Sequence, residues 1–252
     1  MVRYTEAHCI HMNRPKAVIF DLDDTLCSYR IEPFDALQRS LGRGEHRALA
    51  HALDAERFAA LQGRTWAEGQ ARVQAGEWNP FPYGASVEAA RRLLLEAGVV
   101  EQAALQQLQT AFLDVLTAHL DLVPGAEEVV RSIKSGCLVG LLTNGPSKLQ
   151  WGKIERLGIR AWFDAIVVSD DIGIRKPDAR IFQALLKRLN VAPQEAAYVG
   201  DSLEYDVRGA RNAGLISVWL NAGQKGAWDP TQPSPDAQIA RLEELLAWLK
   251  EG

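Results

Sequence analysis

The chain has 252 residues, 47% of them hydrophobic and 24% charged, enough for one large domain or for a core domain with a substantial insert. Lys and Arg number 28 against 32 Asp and Glu, a net charge of −4, and no basic stretch alternates with aromatics, so no nucleic-acid polymer is expected as a partner. Three cysteines without metal-type spacing (Cys9, Cys27, Cys137) argue against a disulfide framework or zinc site, and with no signal peptide in 1–15 and no apolar run near the ~18 residues of a membrane span, a cytoplasmic protein is expected.

Residues 1–14, with His8, Cys9 and His11, read as a flexible N-terminal tail. The apolar run Ala17-Val18-Ile19-Phe20 predicts a buried strand over 16–21, and DLDDTLCSY follows at 21–29 with three aspartates in four positions. A turn accounts for one Asp easily and for three poorly, whereas a cation or proton that relieves their repulsion accounts for the cluster. Asp24 is assigned to the turn. Residues 30–122 hold no convincing strand but several amphipathic helical stretches, among them 47–62 and 101–119, where Leu105, Leu108, Phe112, Leu116 and Leu120 recur every three or four positions.

From 123 onward, apolar runs alternate with helical patterns, as in a parallel sheet covered by helices. Strands are predicted at 138–143, 165–169, 196–200 and 216–220, and helices at 126–134, 148–157, 178–189 and 205–213. After a loop at 226–236, a last helix is read from Ile239, Leu242, Leu245, Leu246 and Leu249. The first strand is thus separated from the other four by a helical block. The expected architecture is an α/β core from 15–29 and 123–252 with an all-helical insert at 30–122.

In open parallel α/β sheets, ligands sit at the carboxyl ends of the strands. There the sequence places Asp21-Leu22-Asp23, Thr143-Asn144-Gly145, Lys176-Pro177 and Gly200-Asp201-Ser202, with Asp206 five residues on. Asp21, Asp23 and Asp201 offer the hard oxygen ligands that suit Mg²⁺. Lys176, Thr143 and the amides of Asn144 and Gly145 can cradle an oxyanion, which matches a phosphoryl group. So held, the group is open to in-line attack by a carboxylate, Asp21 being the best candidate, while Asp23 can protonate the leaving oxygen and later deprotonate water.

In order and spacing, Asp21-Leu22-Asp23-Asp24-Thr25, Leu141-Leu142-Thr143-Asn144-Gly145, Lys176-Pro177-Asp178 and Gly200-Asp201-Ser202-Leu203-Glu204-Tyr205-Asp206 resemble the four motifs of the haloacid dehalogenase superfamily of phosphohydrolases. The resemblance implies a Rossmann-like core with a helical cap inserted after the first motif, here 30–122. It implies Asp21 as nucleophile and Mg²⁺ ligand, Asp23 as general acid/base and a ligand through its carbonyl, and Thr143 as phosphate binder. Lys176 would hold nucleophile and phosphate, Asp201 would complete the metal site, and Asp206 would support it.

The expected activity is hydrolysis of a small-molecule phosphate monoester through an aspartyl-phosphate. A phosphomutase sharing the core is the alternative, ahead of a dehalogenase or a non-catalytic binding protein. A phosphonatase would need a cap lysine, and none lies between Lys16 and Lys134. Arg64, Trp66, Arg72, Trp78, Tyr83 and His46, with a loop at 76–84, are the cap's candidates for selecting a small phosphorylated metabolite. A monomer or homodimer without membrane contact is expected.

Overall fold

The structure, a computed structural model, describes residues 3–4, 14–42, 47–78, 84–222, 231 and 233–251. Its strands are β1 Arg3–Tyr4, β2 Ala17–Phe20, β3 Cys27–Tyr29, β4 Leu120–Leu122, β5 Leu138–Thr143, β6 Ala165–Val168, β7 Ala196–Gly200, β8 Ile216–Leu220 and β9 Ala237–Ile239. Its helices are α1 Pro33–Leu41, α2 Arg47–Ala52, α3 Ala55–Gln74, α4 Ala85–Glu96, α5 Gln102–Ala118, α6 Ala126–Lys134, α7 Ser147–Arg156, α8 Ser169–Ile172, α9 Ala179–Leu189, α10 Arg208–Asn212 and α11 Glu244–Glu251. Among the described residues, no helix is long and apolar enough to cross a membrane.

The chain divides into two compact units, 1–28 with 122–252, and 29–121. The first is built on a sheet in the order β1-β9-β8-β7-β2-β5-β6, parallel from β9 to β6 and closed at one edge by the antiparallel β1. Strand β2 is central and fully buried, since Ala17, Val18, Ile19 and Phe20 meet apolar side chains on both faces. Helix α9 presents Ile181, Phe182, Leu185, Leu186 and Leu189 to one face, in a core shared with Ile19, Leu142, Val167 and Tyr198. Each such side chain taken from water contributes about 1.5–3 kcal/mol.

Register determines what meets at the carboxyl edge. Phe20 stands opposite Leu141 on one side and Val199 on the other, and the strand order reverses about β2. The ends of β2, β5 and β7 therefore open at one place, the switch point where such sheets bind ligands.

Helices α1 to α5 form the second unit around Leu37, Leu41, Phe58, Leu61, Leu93, Leu94, Leu105, Leu108, Phe112 and Leu116. The buried stripe of α5 is the predicted one, but Leu120 belongs to β4, which pairs with β3 in a two-stranded ribbon. The block expected to hold no strand thus ends in one, β4, whose partner β3 stands just before the block begins. The predicted helix 47–62 is two helices, because the Asp54 carboxylate accepts from the amides of Glu56 and Arg57 and starts α3 afresh.

Three further expectations are corrected in the first unit. Ile239 lies in β9, a sixth parallel strand opposite Leu220, rather than in the last helix. Arg3–Tyr4 is an edge strand rather than tail, while residues 5–13 lie outside the described residues. The helix read at 205–213 opens as a π-helical turn over Leu203–Val207, with Ser202 Oγ accepting from the Tyr205 amide at 3.2 Å. His46, Tyr83 and positions 79–83 of the predicted loop also lie outside the described residues.

Candidate active site

Asp21 is the first residue past β2, and its amide still donates to Val199 O at 2.9 Å, so its side chain is fixed as firmly as the strand. The turn after it closes through Leu26 N–H to Leu22 O at 2.9 Å and Asp24 N–H to Cys27 O at 2.8 Å. Asp24 takes the left-handed conformation, φ 55°, which Asp tolerates better than most residues, in keeping with a turn role. Asp23, between them, turns its carboxylate toward α7. There Lys153 Nζ lies 2.6 Å from Oδ1 and Gln150 Nε2 lies 2.9 Å from Oδ2.

At the end of β5, Thr143 is buried and its Oγ1 accepts from Gln150 Nε2 at 2.5 Å. The Asn144 side chain clamps the backbone of Lys176 from both sides, donating to its carbonyl at 3.0 Å and accepting from its amide at 2.9 Å. The Gly145 amide, expected to face an oxyanion, donates to Ser169 Oγ at 3.0 Å.

Lys176 is the hub. Its Nζ donates to Asp21 Oδ1 at 2.7 Å, Asp206 Oδ1 at 2.6 Å and Tyr198 Oη at 3.0 Å, and its side chain is 3% exposed. Tyr198 Oη in turn donates to Leu142 O at 3.1 Å. Asp206 is pinned as well, its Oδ2 accepting from the Ser202 amide at 2.9 Å. Gly200 is required here, since a Cβ on it would stand 2.4 Å from Asp206 Cγ. Asp201, half-buried after β7, accepts from Trp219 Nε1 through its carbonyl at 2.9 Å.

Burial sets the electrostatics. It pushes the Asp21 carboxyl well above the ordinary range, Lys176 pulls it back, and the charge of Asp206 raises it again. Burial alone would lower Lys176, but Asp206 and Asp21 prevail and hold its ammonium above the usual lysine value. Asp23 moves the other way: burial would raise it, yet Lys153 and the Gln150 hydrogen bond keep it below the usual carboxylate range. Tyr198, buried and facing Asp206, is pushed up.

Carboxylate oxygens of Asp21, Asp201 and Asp206 lie within 4.8 Å of one another, while Asp23 joins this group through no side-chain oxygen. Lys176 brings one positive charge to these three acids, two of them buried, which leaves negative charge that a further cation would offset. A hard divalent ion of the Mg²⁺ type, which takes a few carboxylates and fills the remaining positions with other oxygens, fits this donor set.

Four segments far apart in sequence thus bring Asp21, Asp23, Thr143, Lys176, Asp201 and Asp206 to one edge. Residues 15–214 match the family of haloacid dehalogenase-like hydrolases. The chain belongs to that family. Among its relatives, a glyceraldehyde 3-phosphate phosphatase of Methanopyrus kandleri is 32% identical over 94% of this chain and 97% of its own. The pyrimidine 5'-nucleotidase YjjG of Escherichia coli is 29% identical over 90% and 95%. The HAD-hydrolase YfnB of Bacillus subtilis, solved bound to magnesium, shares the fold with a TM-score of 0.71 at 24% identity, over 94% of this chain and 99% of its own.

Gln150, Lys153 and Tyr198 were not singled out from the sequence. Gln150 and Lys153 had only a weak signal, lying at helical spacing with Ile154 on the helix that follows Thr143-Asn144-Gly145. Tyr198 sits in the apolar run of β7 and had none.

Proposed function

We propose that this haloacid dehalogenase-like hydrolase is a Mg²⁺-dependent phosphatase of small phosphate monoesters, acting through an aspartyl-phosphate. The observation that carries the reading is Lys176, whose ammonium touches both Asp21 and Asp206 beside the acidic cluster. Phosphatases and a nucleotidase among the relatives support the same class of ester.

With Oδ1 of Asp21 held by Lys176, Oδ2 attacks phosphorus in line, and the bond to the leaving oxygen breaks. Asp23 hands that oxygen a proton as it departs. Ion-paired to Lys153 in the free protein, it receives this proton from the monoanionic ester. As a carboxylate again, it takes a proton from water, whose oxygen attacks the phosphorus of the aspartyl-phosphate. The acyl P–O bond breaks, Asp21 is released as its carboxylate, and inorganic phosphate leaves with the proton that Asp23 took from water, so Asp23 is again ionised. Thr143 and Lys176 hold phosphoryl oxygens throughout. Asp21, Asp201 and Asp206, with the Asp23 carbonyl, would hold Mg²⁺, which would supply charge neutralisation to the phosphoryl group. In the same proposal the insert at 30–122 serves as the cap and selects the leaving group.

Phosphate release from a panel of triose-phosphate, sugar-phosphate and nucleotide esters tests the reading, with Mg²⁺ and with EDTA. Magnesium-dependent turnover that Asp21→Asn abolishes is expected. Wild-type protein that releases no phosphate from any ester, or an Asp21→Asn variant that still turns over, refutes it.

A further inference from the structure

Helix α7 buries Gln150, Lys153 and Ile154, the positions where an amphipathic helix ordinarily carries apolar residues. Lysine is almost never fully buried unless paired, and here the Lys153 side chain is 6% exposed. Its partner is Asp23 Oδ1 at 2.6 Å. Gln150, also buried, points Nε2 at Asp23 Oδ2 at 2.9 Å, Thr143 Oγ1 at 2.5 Å and Asn144 O at 3.2 Å. An amide has two hydrogens for these three acceptors, so its rotation is fixed by all of them together.

Both oxygens of Asp23 are therefore held from one helix, which sets the plane of the carboxylate. The same amide ties it to the Thr143 hydroxyl, so a single side chain sets the separation between two groups on the reaction path. The helix itself is anchored, since Asp170 Oδ2 accepts from the Ser147 amide at 2.9 Å and Trp151 Nε1 donates to Asp171 Oδ2 at 2.9 Å. An exposed turn carrying Asp23 would leave a free carboxylate to sample several rotamers. Two buried polar side chains on a pinned helix remove that freedom.

We propose that Gln150 and Lys153 are positioning residues that aim the Asp23 carboxylate at the leaving-group oxygen, an inference resting on the assignment of Asp23 as general acid/base. Misplacing an acid by about 1 Å can cost on the order of 10²-fold in rate. The loss should fall where a proton is needed. An alkyl phosphate such as glycerol phosphate leaves as an alkoxide and requires protonation, whereas 2,4-dinitrophenyl phosphate leaves as a stabilised phenolate and does not.

The test compares Lys153→Met, Gln150→Met and Asp23→Asn with the wild type in full-length protein with Mg²⁺. Rapid-mixing release of dinitrophenolate gives both the first-turnover rate and, from the burst amplitude, the concentration of competent sites, so partial misfolding is divided out. Per competent site, all three variants should keep a first-turnover rate near wild type with the dinitrophenyl ester, then release phosphate slowly. Turnover of the alkyl ester should fall about 10²-fold in Lys153→Met and less in Gln150→Met. Equal losses on both esters, or unchanged alkyl turnover, in the α7 variants overturn the inference. If Asp23→Asn itself shows no such split, the general-acid assignment fails first and takes the inference with it.

Discussion

Lys176 offers the most direct energetic test, because its ammonium serves two buried carboxylates at 2.7 and 2.6 Å. Lys176→Met keeps the volume of the side chain and removes the charge, leaving Asp21 and Asp206, 9% and 1% exposed, to face each other and Asp201. Breaking a buried pair by removing one partner costs about 3–5 kcal/mol, since the remaining charge stays desolvated. At about 2–4 °C per kcal/mol for a chain of this size, the melting temperature should drop by roughly 6–20 °C. The perturbation also makes the site a stronger trap for a divalent cation. At ~100 times its Kd, Mg²⁺ stabilises a folded state by about 2.7 kcal/mol, so the rise in melting temperature from EDTA to MgCl2 should be larger in the variant than in the wild type. Thermal melts of both proteins in both buffers measure this. A variant melting within about 2 °C of wild type in EDTA would mean that the pair is energetically idle, and an equal magnesium shift would separate Lys176 from the metal site.

Gly200→Ala places a methyl 2.4 Å from Asp206 Cγ, and Asp206 cannot yield because Lys176 and the Ser202 amide hold both its oxygens. Denaturant unfolding should show a loss of about 1–3 kcal/mol, with phosphatase activity reduced in the protein that remains folded; unchanged stability and activity would contradict the packing described. Burial, followed by the charge of Asp23, pushes the Cys27 thiol well above its ordinary value, and Cys137 is buried too. Peptide mapping after iodoacetamide treatment should find both unmodified in native protein and both labelled in guanidinium, since only thiolate reacts; native labelling of Cys27 at the unfolded rate would refute its burial.

The parallel core was legible because its strands are apolar runs separated by helical patterns, and because Asp21 and Asp201 stand at run ends, with Lys176 and Asp206 in the segments that follow β6 and β7, where the topology brings them together. What escaped was short or paired at a distance. Strand β9 has three residues, too few for a period of two to outweigh the helical spacing that begins at Ile239. Leu120 continues the stripe of α5 in register, so only the ribbon with β3 removes it from the helix. Asp54 splits a helical pattern through its cap, a local competition that periodicity does not weigh. Gln150 and Lys153 lie 127 and 130 residues from Asp23, and the meaning of polar groups on a buried face appears only with their partner.

The position of β2 has a consequence for the order in which the molecule can be made. It emerges from the ribosome before its neighbours, yet Ala17 pairs with Leu138 and Ala196, about 120 and 180 residues later. At roughly 5–20 residues per second, the central strand waits on the order of 6–24 s for its first neighbour and longer for the second. Meanwhile the inserted helices, whose buried core among the described residues runs from Ile31 to Leu116 with Tyr29 packed against it, can already compact. A nascent chain of this protein therefore carries an unpaired, wholly apolar tetrapeptide through about half of its synthesis, and the run of aspartates beside it is the only strongly charged neighbour that tetrapeptide has on its carboxyl side until Arg30.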